Sequence, residues 1–242
     1  MPRTLEVSLS PALYPFRTTT GKHITAVIDV LRFTTSVISA FDYGVEAVIP
    51  VASLAEIEEM KQKGYPVAAE RDGLKLPFAD FGNSATDFMT PEIKGKTIVY
   101  STTNGTVAMK LAAESGPVVA AAFTNLPVVA EWLSKHNENV VILCSGWKNL
   151  FSTEDTLCAG ALIEMLIENK EFISKCDAGI MALRLWLDGK KNLKNAIMKT
   201  SHYQRLLGLG VDPMPDYTIN TGISESLPVF ENGLITDQRN NW

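Results

Sequence analysis

The feature that most constrains this chain is an alternation of short Val-, Ile- and Ala-rich runs, too apolar to face water on either side, with stretches of helical period. The runs are "ITAVIDVL" (24–31), "EAVIPV" (46–51), "PVAAE" (66–70), "TIVYS" (97–101), "PVVAAAF" (117–123), "NVVILCS" (139–145) and "AGIMAL" (178–183). Between them lie "TTSVISAFDYG" (34–44), "SLAEIEEMKQKG" (53–64), "NGTVAMKLAAESG" (104–116), "NLPVVAEWLSKHN" (125–137) and "STEDTLCAGALIEMLIENK" (152–170). Strands without polar alternation are buried on both faces, which in a sheet means helices packed on either side. The pattern predicts an α/β layered fold with a largely parallel or mixed sheet flanked by helices.

Local signals agree with that reading. Ser53 and Glu56 have capping-box spacing, Gly64 closes the same segment, and Thr153 with Asp155 and Thr156 marks another helix start. With 242 residues, 46% of them hydrophobic, the chain can bury a large core. No repeat or long linker divides it, so residues 1–242 are expected to form a single unit, with two subdomains as the alternative. The longest non-periodic stretch, residues 70–95, carries Phe78, Phe81 and Phe88 and is expected to be an ordered loop with a function.

Charge narrows the partners. A net charge of -5, from 22 basic and 27 acidic residues, argues against a surface that tracks nucleic-acid phosphates. Cys144, Cys158 and Cys176 are odd in number and form no C-x-x-C pair, so reduced, mostly buried thiols are expected. The first residues lack the pattern of a signal peptide, and no apolar run is long enough for a membrane helix. The expectation is a cytoplasmic protein that takes a small molecule and binds neither nucleic acid nor membrane; a homo-oligomer is left open.

Polar residues cluster at four strand ends: Asp29 and Arg32, Glu70 and Arg71, Ser101 to Thr106, and Cys144 to Gly146. Ligands of open α/β sheets bind outside the carboxyl ends of the strands. In "STTNGT" the chain leaves a strand and enters a helix, so free amides and the hydroxyls of Ser101, Thr102 and Thr103 can converge on an anion; an ordinary helix cap would use the same residue types. Glu154 and Asp155 open a helix beside "CSG", where acids either complement the helix dipole or hold Mg²⁺. Asp29 stands among residues that are otherwise apolar, so either Arg32 or a metal should compensate it.

Several familiar sites are excluded by spacing. There is no G-x-x-x-x-G-K-[ST] loop and no nucleophile elbow. Leu150 stands where a tyrosine-phosphatase loop has Arg, and Leu31 where a haloacid-dehalogenase-type phosphatase has its second Asp. His23, His136 and His202 are isolated and are expected to be surface or structural residues.

"VIDVLRFTTSV", "AERDG" followed by "DFGNS", "STTNGT", and "CSG" followed by "FSTEDTLCAG" occur in the order found in the 2-phosphosulfolactate phosphatase (ComB-like) family, which this chain resembles. A weaker likeness continues through "HYQRLLGLG" and "LPVFENGLI", while Phe33, Ala69, Ala85 and "GWKN" depart from the family's usual residues. The resemblance implies a Mg²⁺-dependent phosphatase that converts 2-phosphosulfolactate to sulfolactate, in coenzyme M biosynthesis or bacterial sulfonate metabolism. Catalytic candidates are then Asp29, Arg32, Glu70, Arg71 and Cys144. Substrate-binding candidates are Asn83, Ser84, Ser101, Thr102, Thr103, Asn104, Gly105, Ser145 and Gly146, and metal candidates are Asp29, Glu70 and Asp155. A lyase or isomerase acting on a phosphorylated or sulfonated three-carbon acid, or a non-catalytic anion binder, would draw on the same loops.

Overall fold

The computed structural model describes residues 2–168 and 170–242. Its strands are β1 (Arg3–Ser8), β2 (Ile24–Ile28), β3 (Ala47–Pro50), β4 (Val67–Arg71), β5 (Leu74–Lys75), β6 (Thr97–Ser101), β7 (Val118–Ala121), β8 (Val140–Cys144), β9 (Phe172–Ser174), β10 (Pro228–Glu231) and β11 (Leu234–Asp237). The helices are α1 (Phe33–Asp42), α2 (Leu54–Gln62), α3 (Gly105–Ala113), α4 (Leu126–Lys135), α5 (Thr153–Glu168), α6 (Asp177–Gly189), α7 (Leu193–Met198) and α8 (Ser201–Gly208). None of the described helices is long and apolar enough to cross a membrane.

Six of the seven expected strands form where expected, with β4 running one residue beyond its run to Arg71. The seventh, residues 178–183, is instead the first half of α6. Its alternation is helical: Gly179 and Ala182 are buried, whereas Ile180 and Met181 face outward. The helix is also capped, because the Gly179 amide donates to the Cys176 sulfur at 3.3 Å. The Ser53 hydroxyl accepts from the Glu56 amide at 3.1 Å, as the spacing implies. For α5 the cap lies one residue earlier than expected, since the Asp155 amide donates to the Ser152 hydroxyl at 3.2 Å.

The strand order is β5-β4-β6-β3-β11-β10-β7-β2-β8-β1-β9. One end, from β7 to β9, is a parallel block, and β3, β6 and β4 form a second. The β10–β11 hairpin joins them through antiparallel pairings on both of its sides. The two blocks therefore run in nominally opposite senses. Twist offsets this: at roughly 20–25° per strand, the six steps from β2 to β4 accumulate about 120–150°. The carboxyl ends of β2 and β8 consequently face those of β4 and β6 across one cleft.

α1 and α3 pack on one face of the twisted sheet. Their core includes Phe33, Val37 and Met109, together with Val27 of β2, Leu143 of β8 and Tyr100 of β6. The two helices approach closely at Gly105, where an added Cβ would lie 2.4 Å from the Phe33 side chain. α4, α5, α6 and α8 cover the opposite face of the first block, and α2 covers β4 and β6. The 70–95 segment is pinned by α1, with the Ser36 and Ser39 hydroxyls donating to the carbonyls of Asn83 and Ala85 at 2.9 and 2.8 Å. Phe88 is fully buried beside Phe81 and Tyr100.

Candidate active site

The cleft gathers Asp29 and Arg32 from the turn after β2, Glu70 from β4, Asn83 from the following loop, and Thr103 and Asn104 from the turn after β6. Trp147, His202, Arg205 and Leu206 close it from the β8–α5 loop and from α8. His202 is thus a cleft residue rather than an isolated structural histidine. Its signal was weak because α8 is distant in sequence, and its segment carried only the faint "HYQRLLGLG" likeness.

Local chemistry sets the loops. The Thr34 and Thr35 hydroxyls donate back to the carbonyls of Asp29 and Val30, both at 2.9 Å, fastening the start of α1. In "STTNGT" most of the side-chain oxygens hold the turn itself. Ser101 accepts from Arg71 Nη2 at 2.8 Å, Thr102 Oγ1 accepts from the Thr106 amide at 3.1 Å, and Thr103 Oγ1 accepts from the Asp72 amide at 3.2 Å. Ser101 and Thr102 are buried away from the cleft, and Gly105 serves the α1–α3 packing. Arg71 turns to Ser101 and to the Glu70 carbonyl rather than into the cleft.

Other expected site residues also have structural partners. Ser84 bonds Thr86 at the start of a short 3₁₀ turn. Ser145 is buried and its amide donates to the Ile28 carbonyl at 2.8 Å, while its hydroxyl finds no partner among the described residues. Gly146 has φ +61°, and a Cβ there would meet the Leu150 carbonyl oxygen at 2.1 Å, so backbone geometry explains the glycine. Cys144 is fully buried in the core, and burial pushes its thiol well above the usual range. This corrects its assignment as a catalytic candidate, because an inaccessible protonated thiol is not a nucleophile.

Asp29 is 6% exposed and accepts from the Phe33 amide at 3.1 Å through Oδ1. The Arg32 guanidinium does not pair with it and instead donates to the Gly73 carbonyl at 2.7 Å. Burial pushes the Asp29 carboxyl up to about 6, with Glu70 and Glu154 adding to the rise and His202 and the Phe33 amide opposing it. Glu154 is 1% exposed, and its Oε1 lies 2.8 Å from His202 Nδ1. Burial opposes its ionisation, yet the hydrogen bond and charge of His202, together with hydrogen bonds from its own amide and Ser152, hold Glu154 below the usual carboxylate range.

The three expected metal ligands differ in what they have left to offer. Glu70 accepts from the Thr103 and Gly73 amides at 2.6 and 2.7 Å, joining the ends of β6 and β4. Asp155 accepts from the Val30 and Gly146 amides at 2.9 and 3.0 Å, joining the ends of β2 and β8. Burial, with the charges of Glu154 and Asp29, pushes Asp155 well above the usual range. Among the described residues, no three His, Cys, Asp or Glu side chains group as a ready-made metal centre. Asp29 retains an oxygen, Oδ2, that makes no hydrogen bond to the described residues.

A cover lies over these groups. Trp147 stacks with Arg205, whose guanidinium carbon is 4.5 Å from the ring centroid. Lys148 reaches Asp72 at 2.6 Å, and its amide donates to Asn104 Oδ1 at 2.8 Å. The cleft beneath has a volume of about 10 Å³, whereas small-molecule sites typically offer about 300–1,000 Å³. As it stands, the cleft is too small to hold a substrate beneath these side chains. A larger groove of about 810 Å³, lined by Lys61, Tyr65 and Lys96, reaches Thr97 at the other end of β6 and lacks these converging groups.

Comparison with known proteins first places the chain among phosphatases. Residues 9–233 match the family described as 2-phosphosulpholactate phosphatase, and the chain belongs to that family. A "Probable 2-phosphosulfolactate phosphatase" of Gloeothece citriformis is 39% identical over 209 residues, covering 84% of this chain and 87% of the relative. One from Thermotoga maritima is 35% identical over 210 residues, covering 86% and 89%.

Proposed function

We propose that this chain hydrolyses 2-phosphosulfolactate to sulfolactate and inorganic phosphate in a Mg²⁺-dependent reaction, within cytoplasmic coenzyme M biosynthesis or sulfonate metabolism. The observation that carries this reading is Asp29, a buried carboxylate with one unengaged oxygen, in the same cleft as the Arg32 guanidinium and His202. The names of the relatives supply the substrate.

The donor chemistry fits a hard cation of limited protein coordination. Mg²⁺ commonly keeps several waters and uses one or two carboxylates plus substrate phosphate, and of the cleft-lining carboxylates Asp29, through Oδ2, has an oxygen left for it. When bound, the ion would neutralise charge on the phosphoryl oxygens. Arg32 would grip a non-bridging oxygen, as guanidinium groups do with phosphates. Asn83 Oδ1 already accepts from the Tyr100 hydroxyl, which leaves the Asn83 NH₂ as the donor for substrate. Glu154 accepts from Nδ1 of His202 and so orients the ring, leaving Nε2 to deliver a proton to the departing alkoxide. Water attacks phosphorus directly; with Cys144 sealed in the core, a thiophosphate intermediate has no place in this reading.

The test is phosphate release from 2-phosphosulfolactate with Mg²⁺ and with excess chelator, together with identification of the organic product. The expected result is sulfolactate and phosphate in equal amounts with Mg²⁺ and neither with chelator. Turnover in chelator refutes the metal dependence, and an organic product other than sulfolactate refutes the hydrolysis.

A further inference from the structure

Two cover residues, Arg205 and Trp147, have hydrogen-bond donors that the protein leaves unused. Arg205 Nε and Trp147 Nε1 are both buried and find no acceptor among the described residues. Buried polar atoms without partners are unfavourable, and of the seven such side-chain atoms among the described residues these two alone belong to residues that line the cleft, which points to a group supplied from outside the chain. Both residues line the cleft and stack on one another, so their donors belong to one small region.

The surrounding charges sharpen the inference. Arg205 Nη1 donates to the Asp72 carbonyl at 3.0 Å, which fixes the guanidinium without neutralising it. The Asp72 carboxylate is engaged by Lys148 at 2.6 Å. Glu70, the other nearby acid, has both oxygens on backbone amides. Arg205 forms no ion pair among the described residues, although the charges of Glu70 and Asp72 reach it, so its Nε remains free to meet an acceptor in the cleft.

We infer that Arg205 and Trp147 form the subsite that reads the sulfonate of the substrate, and that this subsite determines specificity. The inference rests on the phosphatase reading, which assigns the phosphoryl group to Asp29, Arg32 and His202. A sulfonate spreads one permanent negative charge over three oxygens. A weakly hydrated, delocalised guanidinium suits that diffuse charge, and the neutral indole N–H can engage a second oxygen. Because α8 carries Arg205 and the β8–α5 loop carries Trp147, a sulfonate held by both also holds the cover closed over the phosphoryl group.

The experiment compares 2-phosphosulfolactate with 2-phospholactate, which lacks only the sulfonate, in the wild type, Arg205→Lys and Trp147→Phe. Lysine keeps the charge but loses the Nε donor; phenylalanine keeps a stacking ring but loses Nε1–H. Wild type should prefer the sulfonated substrate. In Arg205→Lys the ratio of kcat/KM between the two substrates should fall by about 10–100-fold, the scale of a lost hydrogen bond to a charged group, and Trp147→Phe should lower it by a smaller factor. The inhibition constant of sulfolactate should rise in both variants, relative to that of inorganic phosphate. Equal losses on both substrates would make the pair a structural part of the cover and overturn the inference. A wild type that hydrolyses both substrates equally well overturns the sulfonate subsite and keeps the phosphatase; a wild type that releases phosphate from neither overturns both.

Discussion

Asp29→Asn should stabilise the protein above pH 6 while abolishing its turnover. Burial raises the Asp29 carboxyl from 3.8 to about 6, so the folded chain binds this proton more tightly than the unfolded chain does. The destabilisation is absent below the unfolded value, develops between about pH 4 and 6, and is complete above the folded value. A displacement from 3.8 to about 6, at about 1.4 kcal/mol per pH unit, makes the ionised carboxylate cost about 3 kcal/mol at pH 8. Asparagine removes that cost and can still accept from the Phe33 amide through its carbonyl oxygen. For a chain of this size the gain corresponds to a rise in Tm of about 6–12 °C. The assay is thermal and urea unfolding of both proteins in excess chelator from pH 4 to 8, with phosphate release measured in Mg²⁺. Mg²⁺ should then raise the stability of the wild type, through binding to the folded state, and leave Asp29→Asn unchanged. A stability difference that does not vary with pH, or a variant less stable than wild type at pH 8, would refute the argument from burial. A folded variant with normal kcat would remove Asp29 from the chemistry.

Three further outcomes follow from the same geometry. Cys144→Ala should leave kcat and KM unchanged and lower stability by about 1 kcal/mol, measured by steady-state kinetics and urea unfolding; lost turnover in a folded protein would restore the thiol to the mechanism. His202→Asn should lower kcat by about 10²–10⁴-fold, the range for a general acid, and Glu154→Gln by less, with the pH dependence of kcat altered in both; normal profiles would make the pair structural. Gly105→Ala should cost about 1–3 kcal/mol by overpacking against Phe33, with little effect on kcat/KM of the folded fraction; the reverse pattern would place Gly105 against the substrate.

The parallel blocks were legible in the sequence because doubly buried strands cannot alternate, and "TIVYS" coincides with β6 residue for residue. The run at 178–183 misled because six small and apolar residues satisfy a buried strand or a helix face equally well. The β10–β11 hairpin had a readable signal in the Asn232-Gly233 turn, whose φ values of 52° and 85° suit a tight two-residue connection. At the site, the strand-end acids announced themselves by being charged inside apolar runs. What could not be read was how the polar atoms are shared: Ser101 serves Arg71, and Glu70 and Asp155 serve four backbone amides. Arg205 and Trp147 escaped notice because an arginine on an amphipathic helix and a tryptophan in a loop have no pattern of their own until the fold brings them together.

The hairpin also sets the order of events during synthesis. β10 and β11 follow all the other described strands in the chain, yet they occupy the middle of the sheet between β7 and β3. Until Pro228–Asp237 emerges from the ribosome, each parallel block presents an unpaired edge, and such edges invite pairing with other chains. Premature termination before Pro228 would therefore leave two sticky half-sheets, and chaperone capture of nascent chains should be strongest just before the hairpin is made.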